Sequence, residues 1–135
     1  MKLYLLDTNI VSYFVKGMHP GLHVRMMLAM QAQDIAISAV TRAEVRYGAE
    51  LMAADDKRRA RIDLLLQDLP ALPWTAAAAD IYGEIKALLK RQGTPIGEMD
   101  TQIAAHALAE GLPLVTHNTR HFERIPGLKL EHWMA

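Results

Sequence analysis

Four polar side chains of this 135-residue chain stand at the ends of apolar runs or at predicted helix starts, where they could meet at one site. Asp7 and Asn118 end short apolar runs predicted to be strands, and Glu44 and Asp100 lie in the first turns of predicted helices. Hard oxygen ligands, without cysteine or a convincing histidine set, select Mg²⁺ or Mn²⁺. Such ions activate water and stabilise an in-line phosphodiester displacement. These residue types therefore predict nuclease or phosphatase chemistry.

A doubly wound parallel sheet would bring the four residues together, because strand ends and helix N-termini share one edge of such a sheet. Three carboxylates in one crevice repel one another and raise each other's pKa values. No structural role requires that cost, and a bound divalent cation removes it. We therefore expect a metal site formed by Asp7, Glu44 and Asp100, with Asn118 beside them.

Each residue also has a purely structural explanation. Asp7 is a good N-cap for the helix that follows it. Thr41 and Glu44 have the spacing of a capping box, in which the glutamate reaches back to its own helix start. Asp100 would be favoured by the dipole of its helix, and Asn118 could form an Asx turn. Only their convergence at one edge favours the functional interpretation.

The elements that would position these residues alternate between strands and helices. Strands are predicted within residues 2–7, 35–38 and 112–116, with an edge strand at 128–133. Helices are predicted at 9–15, 23–32, from 41 onward, at 53–69, at 75–92, and through Asp100 to a stop at Gly111. This alternation predicts an α/β fold with three α/β/α layers around a central, mostly parallel sheet.

The composition limits the classes of protein to consider. The length suits a single domain, residues 1–135, and the 15 Lys and Arg residues balance the 15 Asp and Glu residues. Any polyanion must therefore bind to a local patch. The chain has no cysteine, signal-peptide pattern or membrane-length apolar run, so we expect a cytoplasmic protein without membrane association.

Four segments resemble the PIN-domain ribonucleases, and specifically the VapC toxins of bacterial toxin–antitoxin pairs. They are LLDTN at 5–9, SAVTRAEVRYGAE at 38–50, PIGEMDTQIAAHAL at 95–108 and LVTHNTRHFERIPGLKLEHW at 114–133. By this resemblance Asp7, Glu44 and Asp100 occupy the family's acidic metal positions. Asn118 stands where many members carry a fourth Asp, so one firmly held Mg²⁺ is expected and a second is left open.

The resemblance also implies an RNA substrate, a homodimer and a cognate antitoxin that blocks the crevice. The C-terminal segment is similar to toxins that cut initiator tRNA. For phosphate contacts we nominate Arg42, Arg46 and Arg120, each close in sequence to a proposed ligand or crevice loop. The basic run at 57–61 is more typical of a solvated helix face.

Three other interpretations fit parts of the sequence. Asp7 after an apolar strand resembles a haloacid-dehalogenase-type phosphatase, but Asn9 stands where that family needs a second Asp. His117 and His121 have zincin spacing without the central Glu. The substitution at Asn118 also allows a catalytically weak PIN-like module that binds RNA or a partner.

Overall fold

A computed structural model describes residues 3–134 of the chain. Lys2, with which the first predicted strand begins, lies outside the described residues. The elements in chain order are β1 (Tyr4–Leu6), α1 (Thr8–Lys16), α2 (Pro20–Ala32), β2 (Ile35–Ser38), α3 (Ala39–Glu50), α4 (Lys57–Asp68), β3 (Ala71–Leu72), α5 (Ala76–Arg91), α6 (Glu98–Glu110), β4 (Leu114–Val115), α7 (Thr119–Phe122) and β5 (Leu130–Glu131).

The five strands form one sheet in the order β3-β2-β1-β4-β5. All four neighbouring pairs are parallel, so every strand presents its carboxyl end at the same edge. The strand order reverses beside β1, between β1 and β4. A crevice forms at such a reversal, because the helices that follow the two strands cover opposite faces of the sheet.

Alternate residues of the central strands pack against different helical layers. Leu6 and Val115 join the core formed with α1 to α4. Leu5 and Leu114 join the second core, formed mainly with α5 and α6. Burial on both faces explains why these strands are apolar throughout. The three-layer α/β/α prediction is confirmed.

The start of α3 differs from its prediction. Ser38, the last residue of β2, is the N-cap, and its hydroxyl oxygen accepts a hydrogen bond from the Val40 backbone N–H at 3.0 Å. Thr41 therefore lies inside the first turn, and the predicted capping box between Thr41 and Glu44 is wrong. The Glu44 side chain therefore does not cap its own helix and can contact a residue of another element.

Two further boundaries were not expected from the pattern. Helix α2 begins at Pro20 rather than at His23, because proline is well suited to the first position of a helix. Residues 71–72, for which no strand was predicted, pair with β2 as the edge strand β3. Across residues 3–134, every helix is too short or too polar to cross a membrane.

Candidate metal site and RNA-binding edge

Asp7 lies between β1 and α1 at the centre of the carboxyl edge, and it is only 2% exposed. Its carboxylate accepts hydrogen bonds from the Ile10 backbone N–H at 2.9 Å and from the Thr116 hydroxyl at 2.6 Å. Burial raises its pKa from 3.8 to about 6, the hydrogen bonds oppose that shift, and the charge of Asp100 adds to it. Asp7 therefore does more than cap a helix, because its carboxylate is held at an energetic cost.

Asp100 is the third residue of α6 and reaches the same edge. Burial raises the pKa of this half-buried carboxyl, while the nearby His121 imidazole lowers it. His121 Nδ1 lies 3.9 Å from Asp100 Oδ2. Since the charge of Asp100 raises the pKa of Asp7, the two acids share one electrostatic environment.

Asn118, the N-cap of α7 three residues after β4, is linked to both acids. Its backbone N–H donates to the Thr116 hydroxyl oxygen at 3.1 Å, and that hydroxyl donates to Asp7. Its side-chain Nδ2 donates to His121 Nδ1 at 2.9 Å. Because an amide nitrogen can only donate, His121 Nδ1 accepts, and the carbonyl oxygen of Asn118 is left available.

His121 is a site residue that the sequence did not reveal. It had entered only as part of the discarded zincin spacing. In the short helix α7, His121 lies three residues after Asn118 and therefore on the same side of the helix. Because α7 packs near the start of α6, His121 also lies close to Asp100. Only the contact with Asp100 joins distant parts of the chain, so the three-residue spacing from Asn118 was the one feature of the sequence that could have indicated His121.

Glu44 projects from α3 toward the start of α1. The Thr8 hydroxyl donates to Glu44 Oε1 at 2.7 Å and lies 3.1 Å from the Thr41 hydroxyl oxygen. Glu44 and Thr8 also line a cavity of about 120 Å³ between α1, α3 and α4. Since Thr8 follows Asp7 directly, this hydrogen bond ties Glu44 to the residue beside Asp7.

The oxygen atoms at this edge fit a Mg²⁺ or Mn²⁺ ion that is held by only a few protein ligands. Among residues 3–134, no three Asp, Glu, His or Cys side chains converge closely enough to form a metal cage. Magnesium commonly takes one or two carboxylates and keeps several waters. Asp7 and Asp100 can supply those carboxylates, with the Asn118 carbonyl beside them, and Glu44 can act through water.

The three nominated arginines have different environments. Arg42 Nη1 donates to the Leu66 carbonyl near the end of α4, and Arg46 forms an ion pair with Asp63 of α4. Arg120 is exposed, and no hydrogen bond or ion pair joins its side chain to another described residue. Arg120 is therefore the nominated cation that is free to meet a phosphate group.

Comparison with known proteins agrees with this architecture. The PIN domain family model matches residues 4–128. The tRNA(fMet)-specific endonuclease VapC of Salmonella typhimurium is 38% identical over 133 residues, covering 98% of this chain and 99% of the relative. Ribonuclease VapC2 of Haemophilus influenzae is 41% identical over 134 residues, covering 99% and 100%.

Solved structures show the same fold. DNA-bound VapBC from Salmonella typhimurium matches with a TM-score of 0.89 at 38% identity, covering 98% of this chain and 99% of that one. VapBC2 from Rickettsia felis, bound to a promoter DNA fragment, gives 0.87 at 34% identity, covering 97% and 98%. A toxin–antitoxin complex from Klebsiella pneumoniae gives 0.69 at 26% identity, covering 93% and 94%.

The chain belongs to the PIN-domain family, in which it is one of the VapC ribonucleases. The predicted resemblance and the prediction of a nuclease are thereby confirmed. The phosphatase interpretation is not favoured, because these relatives match over nearly their whole lengths and are named ribonucleases or endonucleases.

Proposed function

We propose that this protein is a Mg²⁺-dependent endoribonuclease toxin that hydrolyses phosphodiester bonds in RNA, with Mn²⁺ able to substitute. The observation that carries the proposal is the buried Asp7 carboxyl, whose pKa is raised to about 6 beside a second acid, Asp100. Such perturbed carboxyl pairs cluster at functional sites. The sheet edge on which they lie is the ligand-binding edge of open α/β folds.

The proposed roles follow from the contacts. Asp7 and Asp100 hold the ion, Glu44 supports it from α3, and Asn118 contributes its neutral carbonyl oxygen. The bound ion would supply activation of water and stabilisation of the displaced oxygens. Thr116 fixes the Asp7 carboxylate, and Arg120 takes a phosphate of the substrate. One charge fewer at Asn118 favours a single ion.

The RNA is proposed to be tRNA, and initiator tRNA in particular. Two relatives that match almost this entire chain, at 38% and 40% identity, are named tRNA(fMet)-specific endonucleases. The neutral overall charge fits a selective substrate, since it supplies no general attraction to nucleic acids.

The proposed partners are a cognate antitoxin and a second copy of the chain. Structural neighbours at 26% to 38% identity include VapBC and toxin–antitoxin complexes. Large exposed apolar side chains supply surface for such contacts: Val24, Met27 and Leu28 on α2, Tyr47 on α3, and Leu64 on α4. We place the protein, as one domain of residues 1–135, in the cytoplasm, where its RNA substrate is found.

The deciding experiment compares two N-cap substitutions, Asp7→Asn and Asp56→Asn. Both aspartates cap helices, and asparagine is about as good a cap. With Mg²⁺ and total tRNA, we expect Asp7→Asn to lose cleavage by orders of magnitude, while Asp56→Asn cuts normally. EDTA should stop cleavage by the wild type.

Circular dichroism must show that the Asp7→Asn protein is folded. A folded Asp7→Asn variant that cuts tRNA at the wild-type rate would overturn the proposed mechanism. If the wild-type protein binds tRNA and cuts none with either metal, the chain is a binding module instead.

A further inference from the structure

Four rings lie together on the carboxyl edge of the sheet, outside the carboxylate site. Tyr13 of α1 meets His19 and His117 edge to face, with ring centroids 5.2 Å and 6.0 Å away. The rings of His117 and His132 are 5.3 Å apart and tilted by 35°. We call these four residues the ring ledge.

The ring ledge adjoins the proposed metal site. His117 stands between Thr116, which donates to Asp7, and Asn118. Its imidazole is near enough to lower the pKa of the Asp7 carboxyl. His132 directly follows β5, the strand that pairs with β4. A nucleotide next to the one whose phosphate binds at the proposed metal site is therefore the candidate to contact these rings.

Core packing does not account for the two outer rings. His117 and His132 are both exposed, and Tyr13 and His19 are half-buried. The hydrogen bond that the structure gives these two imidazoles joins them to each other, with His117 Nδ1 and His132 Nε2 3.2 Å apart. Two adjacent exposed rings on a supported base are available for a ligand.

We propose that the ring ledge seats an unpaired RNA base adjacent to the scissile phosphate, an inference that rests on the proposed ribonuclease function. Proteins that read RNA stack splayed bases on aromatic and histidine rings, because every base has a π face. This chain has no net charge, so its affinity must come from local contacts of this kind. A paired base cannot offer its face, so the ledge favours single-stranded loops.

The test measures binding without cleavage. A fluorescein-labelled single-stranded RNA oligonucleotide and its duplex are titrated with protein in EDTA, and anisotropy is recorded. His117→Ala and His132→Ala should each weaken binding of the single strand about five- to tenfold, the lower end of the range for one lost stacking contact. Duplex binding should not change.

Two variants separate stacking from other causes. His117→Tyr keeps a ring and removes the imidazole, so its affinity should stay within about twofold of wild type. His23→Ala is the matched control, because His23 is an exposed histidine stacked on Phe14 outside the ledge. It should bind the single strand like the wild type.

Wild-type affinity for the single strand in both alanine variants would overturn the inference. A loss in His117→Tyr as large as in His117→Ala would also overturn it, since the imidazole nitrogens rather than the ring face would then be responsible. Neither result depends on cleavage, so the proposed catalytic function can fail or succeed separately.

Discussion

At the scale of the residue, the Asp7 carboxyl is held where its charge is disfavoured. It is buried, and Asp100 adds a second negative charge nearby. The Thr116 hydroxyl and the Ile10 backbone N–H offset only part of that cost. The metal-free protein therefore binds a proton at Asp7 more readily when folded than when unfolded.

This difference predicts a pH dependence of stability. The pKa of Asp7 is about 6 in the folded protein against 3.8 for an unperturbed carboxyl, so the free energy of unfolding should fall as pH rises from about 4 to about 6. The loss from this group is about 3 kcal/mol. Denaturant unfolding in EDTA at pH 4.5 and 7 would capture about two thirds of this loss, about 2 kcal/mol. The free energy of unfolding of Asp7→Asn should change less between these two pH values. An equal change in that variant would contradict the raised pKa of Asp7.

His121 predicts a second effect, on metal affinity. Its Nδ1 accepts from the Asn118 amide and so orients the Asn118 carbonyl oxygen. His121→Ala should weaken Mn²⁺ binding roughly tenfold, as loss of a ligand-orienting partner commonly does. His121→Gln, whose carbonyl oxygen can also accept, should retain most of the affinity. Calorimetry at pH 7.5 measures both, and unchanged binding by His121→Ala would exclude this orienting role.

The sequence predicted the edge residues better than their surroundings. Asp7 and Asn118 could be placed because apolar runs mark strand ends, and Asp100 because it lies in the first turn of a predicted helix. The hydrogen bond from Thr116 to Asp7 joins residues 109 positions apart, and no local pattern encodes it. The role of His121 at Asp100 escaped the sequence for the same reason.

At the scale of the element, arginines of α3 and α4 satisfy the ends of neighbouring helices. Arg61 donates to the Val15 carbonyl near the end of α1, and Arg59 donates to the Met52 carbonyl just beyond α3. Arg42 does the same for Leu66 in the last turn of α4. Terminal carbonyls lack partners within their own helix and carry partial negative charge, so a guanidinium is well matched to them.

These contacts predict different outcomes for the nominated arginines. Arg120→Ala should lower the salt slope of RNA binding by roughly one unit, because it removes one phosphate contact. Arg42→Ala should leave that slope unchanged and lower the free energy of unfolding by about 1 kcal/mol. Binding titrations at several salt concentrations and urea unfolding measure the two effects. A wild-type salt dependence of RNA binding in Arg120→Ala would show that another residue makes the phosphate contact.

Helical periodicity was enough to predict most helices, but not what their charged residues do. The basic run at 57–61 was expected to be a solvated face, and Lys57, Arg58 and Arg61 are exposed. Arg59 and Arg61 also donate to backbone carbonyls at the ends of other helices, which the pattern did not predict. The N-cap of α3 was misplaced because Ser38 also ends a strand, and the strand pattern concealed it. Two-residue strands such as β3 are too short for any periodic signal.

At the scale of the whole molecule, metal binding should stabilise the fold. An ion that binds only the folded form adds about 2.7 kcal/mol at a hundredfold excess over its dissociation constant. We expect the Tm to rise on the order of 10 °C with Mg²⁺ or Mn²⁺ at that excess. Asp100→Asn should reduce the shift, while Asp56→Asn should keep it. A melting curve unchanged up to millimolar metal would argue against the site.

The central position of β1 has a consequence for synthesis. The middle strand of the sheet, β1, is made before its other four strands, and its partner β4 lies more than a hundred residues later. Thr116, Asn118 and α7 must all be made before Asp7 acquires its neighbours. Such distant pairing forms late in folding, because loop closure precedes any gain from contact. A partly translated chain therefore lacks the neighbours of Asp7, and the edge that carries the candidate metal site is assembled only after β4 and α7 have been made.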